Sequence, residues 1–214
     1  MLRILLASLM FSCASPALAN GAGAAPVSKP APTILIFGDS LSAGHGLANG
    51  QSWPSLLGQR LQAENSPYTV VNASISGETT AGGRTRLPAA LERTKPAVVI
   101  IALGANDGLR GLPVKQLKEN LVAMARVSKG ARARVLLVGM RLPPNYGPAY
   151  VHRFQALFAQ VAKARKVRLV PFLLDGVADQ RDRFQADGLH PDAGAQAQLM
   201  DNVWRELKPM LKEK

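Results

Sequence analysis

Five short apolar runs alternate along the chain with longer segments in which apolar residues recur at helical spacing. The runs are rich in Val, Ile and Leu and predict buried β-strands at 33–37, 69–73, 97–103, 134–140 and 167–171. The other segments predict α-helices at 51–65, 80–94, 114–128, 149–166 and 193–207. Strands that are apolar throughout and alternate with helices predict an α/β fold with a parallel sheet covered on both faces. The pattern shows no internal repeat and indicates one domain from residue 33 to residue 214.

The loops that follow the strands are where we expect a functional site. In an open α/β sheet, ligands bind at the carboxyl ends of the strands. The segments that leave those ends are 38–50, 74–80, 104–113, 141–148 and 172–192. Any catalytic residues should therefore come from these five segments.

A serine stands where the chain turns out of the first strand. Ser40 follows Gly38 and Asp39 directly after the apolar run. A serine hydroxyl is a weak nucleophile unless a base, a group that orients the base, and oxyanion donors surround it. Gly-Asp-Ser is also a common composition for a loop or a helix N-cap. This stretch alone leaves a catalytic and a structural interpretation open.

The other loops contain the residue types that Ser40 lacks. Gly77 has no side chain, so its backbone N–H can approach a ligand closely. Asn106 can direct a side-chain amide toward the same point. His190 can act as a base, and Asp187, three residues earlier, can hold its ring. These four residues are the candidates for the groups around Ser40.

The remaining histidines and two aspartates have structural interpretations. His45 has no flanking acid and could line the mouth of a cleft, whereas His152 begins a helix and is expected at the surface. Asp39 and Asp107 are expected to accept hydrogen bonds from local backbone N–H groups. No cluster of histidine, aspartate or glutamate has the sequence spacing of a metal site. A G-x-S-x-G elbow and a phosphate-binding loop are also missing.

The first 19 residues have the organisation of a secretory signal peptide. Arg3 precedes a short apolar run, and an Ala-Leu-Ala sequence at 17–19 fits a cleavage site. We expect cleavage after Ala19, with lipidation at Cys13 as the alternative, and a periplasmic or secreted protein. Residues 20–32 are rich in Ala, Gly, Pro and Ser, which predicts a flexible leader. Because Cys13 is the one cysteine, the mature chain is expected to contain no disulfide.

The formal net charge of +12 suggests an anionic partner. Aromatic residues are only 5% of the chain, and no basic run is interleaved with aromatics that could stack on bases. We therefore expect no nucleic-acid partner. The charge is compatible with a solvated basic face or with peripheral contact with an anionic membrane surface.

Four sequence blocks, in order, resemble the SGNH (GDSL) hydrolase family. They are Gly-Asp-Ser-Leu at 38–41, Gly77, Gly-Ala-Asn-Asp at 104–107 and Asp-Gly-Leu-His at 187–190. A fifth stretch, Arg-Leu-Pro-Pro-Asn-Tyr-Gly at 141–147, resembles the branch of periplasmic thioesterase I, lysophospholipase and arylesterase enzymes. The resemblance implies a flavodoxin-like three-layer α/β/α fold with a five-stranded parallel sheet, and an activity that uses no metal or cofactor.

The resemblance also implies a role for each candidate residue. Ser40 would be the nucleophile, His190 the base and Asp187 its partner, while the oxyanion hole would comprise the N–H groups of Ser40 and Gly77 and the side chain of Asn106. The implied substrates are small-molecule acyl esters, acyl thioesters such as acyl-CoA, and lysophospholipids. Two alternatives stay open: an acetyl-glycan esterase on the same fold, and a non-catalytic polyanion-binding envelope protein. The sequence does not indicate an oligomeric state.

Two loops at the predicted catalytic edge, 108–113 and 141–147, are expected to hold the acyl chain between them. Glycines give the first loop backbone freedom, and two prolines stiffen the second. The residues predicted to contact substrate there are Leu109, Arg110, Leu112, Arg141, Leu142 and Tyr146. The alternative is that the leucines pack the loops onto neighbouring helices.

Overall fold

The computed structural model describes residues 31–212. The predicted signal peptide at 1–19 lies outside the described residues, and so does the predicted leader except for its last two residues. Within residues 31–212, no helix has both the length and the apolar composition needed to cross a membrane.

Five strands form one parallel sheet, as predicted. They are β1 (Thr33–Gly38), β2 (Thr69–Asn72), β3 (Val98–Ala102), β4 (Arg134–Val138) and β5 (Arg168–Val170). Their order across the sheet is β2-β1-β3-β4-β5, and all neighbours are parallel. The interior strand β3 is buried along its whole length, whereas the edge strand β2 is largely exposed. The prediction of buried strands therefore fails at β2, because an edge strand has a neighbour on one side only.

Seven α-helices accompany the sheet in the described part of the chain. They are α1 (Ser40–Ala43), α2 (Trp53–Ala63), α3 (Thr80–Thr94), α4 (Ala105–Leu109), α5 (Val114–Gly130), α6 (Pro148–Arg165) and α7 (Gln196–Lys212). The five long helices confirm the five predicted ones. The short helices α1 and α4 follow β1 and β3 directly, and both are too brief to show helical periodicity in the sequence.

The helices form two layers. Helices α2 and α7 pack against each other, while α3 packs on α5 and α5 on α6. The sheet between these layers supplies the centre of the core, with Phe37 and Ile100 fully buried. Because all strands run in the same direction, the segments after β1, β2, β3 and β4 leave from one edge of the sheet.

The last helix extends further than its sequence predicts. The apolar spacing predicts an end at residue 207, just before Pro209, and a proline inside a helix removes a backbone hydrogen bond. Helix α7 continues through Pro209 to Lys212. Leu207 and Met210 lie on its buried face, and burial of these side chains offsets the cost of the proline.

Candidate active site

Ser40 is the first residue of α1 and directly follows the sharp turn that ends β1. Asp39 caps this helix, since its Oδ1 accepts a hydrogen bond from the Leu41 N–H at 3.1 Å. Gly44 ends the helix with a φ of 81°, a left-handed conformation that favours glycine. A Cβ on Gly38 would lie 2.8 Å from Ser42 Oγ, so the tight turn also needs glycine there. The predicted role of Asp39 as a local cap is confirmed.

A continuous chain of hydrogen bonds joins Ser40 to His190 and Asp187. Ser40 Oγ lies 2.9 Å from His190 Nε2, and His190 Nδ1 lies 2.7 Å from Asp187 Oδ2. Ser40 comes from the loop after β1, and the other two residues come from the segment after β5. The fold thus brings together three side chains that are up to 150 positions apart in sequence.

The surroundings of Asp187 determine which nitrogen of His190 carries the proton. Asp187 Oδ1 accepts hydrogen bonds from the backbone N–H groups of His190 at 3.0 Å and Leu189 at 2.8 Å. The backbone N–H of His190, its ring and the Leu189 N–H together lower the pKa of Asp187 well below its usual value. An ionised Asp187 can only accept, so His190 Nδ1 must donate to it. Nε2 is then free to accept a hydrogen bond from the Ser40 hydroxyl.

The predicted oxyanion donors lie in loops that are hydrogen-bonded to one another. Gly77 adopts a φ of 78°, which favours glycine. Within the described part of the chain, neither the Ser40 N–H nor the Gly77 N–H donates a hydrogen bond. Asn106 uses one amide hydrogen to contact Glu78 O at 3.0 Å, which fixes the plane of the amide and leaves its second hydrogen available. All three groups therefore have an unused donor.

Two further contacts fix the loop that contains Gly77. The Ile75 N–H donates to Gly38 O at 3.0 Å and joins this loop to the end of β1. Arg110 Nη2 donates to Gly77 O at 3.1 Å from the neighbouring loop. The two contacts thus anchor the chain just before and just after the Gly77 N–H.

Asp107 does not act as a local cap, and the sequence prediction for it is wrong. Its two carboxylate oxygens accept hydrogen bonds from the N–H and the hydroxyl of Thr80, at 2.8 and 2.5 Å. Asn120 also donates to the Thr80 hydroxyl, at 3.2 Å. Asp107 is buried, and a buried carboxylate needs such partners more than an exposed turn residue does. Asp107 therefore ties α4 to the start of α3, next to Asn106.

Asp39 is the other buried carboxyl beside the site. It has no exposed surface, and within the described residues its Oδ2 has no hydrogen-bond partner. Burial raises the pKa of Asp39 to about 7, with a smaller contribution in the same direction from Asp107. The Asp39 carboxyl, next to the serine, therefore stays protonated to a higher pH in the folded protein than a free aspartate does.

His45 lies against the ring of His190, which the sequence did not indicate. The ring centroids are 4.4 Å apart, with planes inclined at 40°. Gln185 connects the two loops, because its Nε2 donates to His45 O at 2.8 Å and to Pro191 O at 3.2 Å. Sequence analysis did not single out Gln185, since a lone glutamine carries no motif. His152 is exposed on α6, as predicted.

The sequence spacing showed no cluster of metal-binding residues, but the fold brings three residues of this kind together. Ligand atoms of His45, Asp187 and His190 all lie within 4.8 Å of one another. Sequence spacing could not reveal this group, because His45 is 142 positions away from Asp187 (187 − 45).

Two tyrosine hydroxyls, one in loop 141–147 and one at the start of α6, donate hydrogen bonds to loop 108–113. Tyr146 donates to Leu109 O at 3.2 Å, and Tyr150 donates to Leu112 O at 2.7 Å. Tyr146, Leu109 and Leu112 are half-buried, and Arg110 is exposed. Tyr150 was not among the predicted residues, because it lies in the first turn of α6 rather than in the loop. These bonds restrain the loop for which backbone freedom was expected.

The two other predicted residues of the second loop differ in exposure. Arg141 is exposed, with its guanidinium 4.6 Å from the ring centroid of Phe172. Leu142 is only 8% exposed, and its Cδ2 lies 2.7 Å from the position that a Cβ on Gly108 would occupy. Burial of Leu142 favours the alternative that this leucine packs its loop onto the protein. Ile75 and Leu189, near Gly77 and His190, are instead the large apolar side chains exposed here.

Comparison with known proteins identifies the family. Residues 36–197 match the GDSL-like Lipase/Acylhydrolase family. The chain is 52% identical to Esterase TesA of Pseudomonas aeruginosa, over 85% of this chain and 90% of the relative. It is 41% identical to Thioesterase 1/protease 1/lysophospholipase L1 of Escherichia coli K12, over 85% of this chain and 86% of the relative. The chain therefore belongs to the GDSL-like lipase/acylhydrolase family.

A solved structure supports the same assignment. The psychrotrophic esterase EstA from a Pseudoalteromonas species, in a structure inhibited by monoethylphosphonate, matches with a TM-score of 0.81 and 42% identity. The match covers 85% of this chain and 99% of EstA. The predicted SGNH (GDSL) family and three-layer α/β/α fold are confirmed.

The buried Asp39 carboxyl should make stability depend on pH. Its folded-state pKa of about 7 lies above the ordinary aspartate value of 3.8, so the folded state binds more protons between these values. The free energy of unfolding should therefore fall as the pH rises through this range, by up to about 1.4 kcal/mol per pH unit. Asp39→Asn keeps a capping side chain but cannot titrate. Urea unfolding at several pH values should show a steeper fall for the wild type than for Asp39→Asn, and parallel curves would contradict this assignment.

Proposed function

We propose that Ser40, His190 and Asp187 form a catalytic triad that hydrolyses acyl esters and thioesters. The observation that carries the proposal is the hydrogen-bonded chain from Ser40 Oγ through the His190 ring to the Asp187 carboxylate. The chain is an ester hydrolase by class, as its family and its relatives named esterase, arylesterase and thioesterase indicate. The triad assigns this chemistry to particular residues.

The hydrogen bonds support a double-displacement mechanism. Ser40 Oγ attacks the carbonyl carbon while its proton moves to His190 Nε2. The tetrahedral intermediate collapses, and His190 delivers that proton to the departing alcohol or thiol. Water then attacks the acyl-enzyme with His190 as base, and the proton finally returns to Ser40 as the acid leaves. Asp187 stays ionised throughout and stabilises the imidazolium that forms in each half of the cycle.

The oxyanion would be bound by the N–H groups of Ser40 and Gly77 and by the amide of Asn106. The unused donors of these groups support this role, because an oxyanion needs donors that are already oriented and not engaged elsewhere. The Ile75 and Arg110 contacts anchor the chain on either side of the Gly77 N–H, which supports a fixed position for this donor before substrate arrives.

The acyl chain is proposed to lie between loops 108–113 and 141–147. Leu109, Leu112 and Tyr146 remain partly exposed in these loops, which supports their contact with substrate. Arg110 and Arg141 are exposed nearby and could contact a charged or polar part of the substrate. The buried Leu142 would act indirectly by shaping the Gly108 region.

Export to the periplasm or beyond, after cleavage at Ala19, is proposed on the sequence of the first 19 residues. Contact with an anionic membrane is supported by exposed cations that precede β3, β4 and β5, namely Arg93, Lys95, Arg132 and Lys166. Residues before parallel strands lie at the edge opposite Ser40. Such contact would therefore leave the mouth of the site facing away from the membrane.

The assignment of Ser40 is tested by covalent labelling. A fluorophosphonate should label the wild type and the surface variant Ser66→Ala but not Ser40→Ala, and His190→Ala should lose nearly all turnover. Asn106→Ala should lose about 10²–10³ in kcat with little change in KM, because an oxyanion donor acts mainly in the transition state. Unchanged labelling of Ser40→Ala would assign the nucleophile to another residue, whereas an unlabelled wild type would exclude the triad and favour the polyanion-binding alternative.

The acyl-chain assignment is tested with esters of increasing length. Each buried CH₂ contributes about 0.8 kcal/mol, so Leu109→Ala should lower kcat/KM for long acyl chains by about tenfold. Acetyl esters should be almost unaffected. Val127→Ala, which trims an exposed apolar side chain near the other end of α5, is the matched control. Equal losses on short and long esters, or a wild type indifferent to chain length, would favour the acetyl-glycan alternative.

A further inference from the structure

The mechanism leaves one imidazole beside the triad without a role. His45 is exposed, and its ring centroid lies 4.4 Å from that of His190. Gln185 holds the His45 carbonyl and the Pro191 carbonyl with the same amide nitrogen. The backbone on which His45 is mounted is thus fixed relative to the loop that carries the base.

The chemistry of the group is that of a transition-metal site. Two imidazoles and a carboxylate offer ligand atoms within 4.8 Å of one another. Nitrogen and carboxylate oxygen are the ligands that Zn²⁺ takes, at about 2.0–2.2 Å. The imidazole nitrogens of His45 and His190 have to move closer to share one ion, and rotation of the exposed His45 ring can bring them together. The remaining coordination positions face solvent and can be filled by water.

His190 is already oriented as metal-binding histidines usually are. Its Nδ1 is 2.7 Å from the Asp187 carboxylate, which leaves Nε2 with the free lone pair. A carboxylate behind one ring nitrogen fixes the tautomer of a metal-binding histidine and makes the other nitrogen a better ligand. The same lone pair accepts the proton of Ser40, so an ion bound there and catalysis exclude each other.

We propose that the imidazoles of His45 and His190 bind a divalent transition-metal ion such as Zn²⁺, with Asp187 as the outer partner behind the His190 ring, and that the ion reversibly inhibits hydrolysis. The ion bridges the two imidazoles and occupies the proton-accepting nitrogen of His190. The inhibitory effect, though not the binding, rests on the proposed role of His190 as base. Hard cations such as Mg²⁺ prefer oxygen ligands and should not compete for this site.

A titration of hydrolysis with Zn²⁺ tests the inhibition. The ion should inhibit the wild type, a chelator should restore activity, and Mg²⁺ at equal concentration should have no effect. His45→Phe keeps a ring beside His190 but removes a ligand, and it should raise the half-inhibitory Zn²⁺ concentration by at least about tenfold, since loss of even an outer-shell partner costs that much affinity. His152→Phe removes the exposed histidine of α6 and should respond as the wild type does. Equal inhibition of His45→Phe and the wild type, or no inhibition at all, would overturn the proposal.

Calorimetry separates this proposal from the proposed function. Ser40→Ala retains both imidazole ligands and the Asp187 carboxylate but has no nucleophile, so it should bind one Zn²⁺, and the double variant Ser40→Ala/His45→Phe should bind it at least about tenfold more weakly. If Zn²⁺ binds in this way but leaves turnover unchanged, His190 is not the base and the triad assignment fails. If binding to the two variants is equal, the metal site is wrong whatever the mechanism.

Discussion

The hydrogen bond between the ionised Asp187 carboxylate and His190 Nδ1 is the interaction on which the rest of the site depends. It fixes the proton on Nδ1 and therefore makes Nε2 the acceptor that faces Ser40, 2.9 Å away. Asp187 can do this because the backbone N–H groups of Leu189 and His190 stabilise its charge although the residue is exposed. A short loop thus supplies both the imidazole of the proposed triad and the electrostatic reason for its tautomer.

The loops of the catalytic edge are joined to one another by hydrogen bonds rather than by a shared apolar core. Ile75 bonds to the end of β1, Asn106 to Glu78, Asp107 to Thr80 and Gln185 to His45. Directional bonds of this kind fix donors and acceptors in place before substrate binds, which is what transition-state stabilisation requires. The parallel sheet contributes by bringing the ends of its strands to one edge.

Sequence patterns predicted the fold, and the loops in which the candidate site residues lie, for a clear physical reason. Buried parallel strands are apolar throughout, so the loops after them could be located, and Ser40 and His190 lie in those loops. Contacts that depend on how the loops fold back could not be predicted. The pairing of His45 with His190, the burial of Leu142 and the bond from Asp107 to Thr80 are all of this kind. The α1 helix escaped prediction because four residues cannot display a period of 3.6.

The tautomer of His190 is the property that tests this account most directly. Two-bond ¹⁵N–¹H NMR spectra, recorded at a pH at which the His190 ring is neutral, report which ring nitrogen carries the proton. The His190 signals are assigned from their loss in His190→Gln. The account predicts a proton on Nδ1 in the wild type, and a mixture of tautomers in Asp187→Ala, where the carboxylate that selects Nδ1 is gone. A wild-type His190 protonated on Nε2 would contradict the account, because that ring could not accept the proton of Ser40.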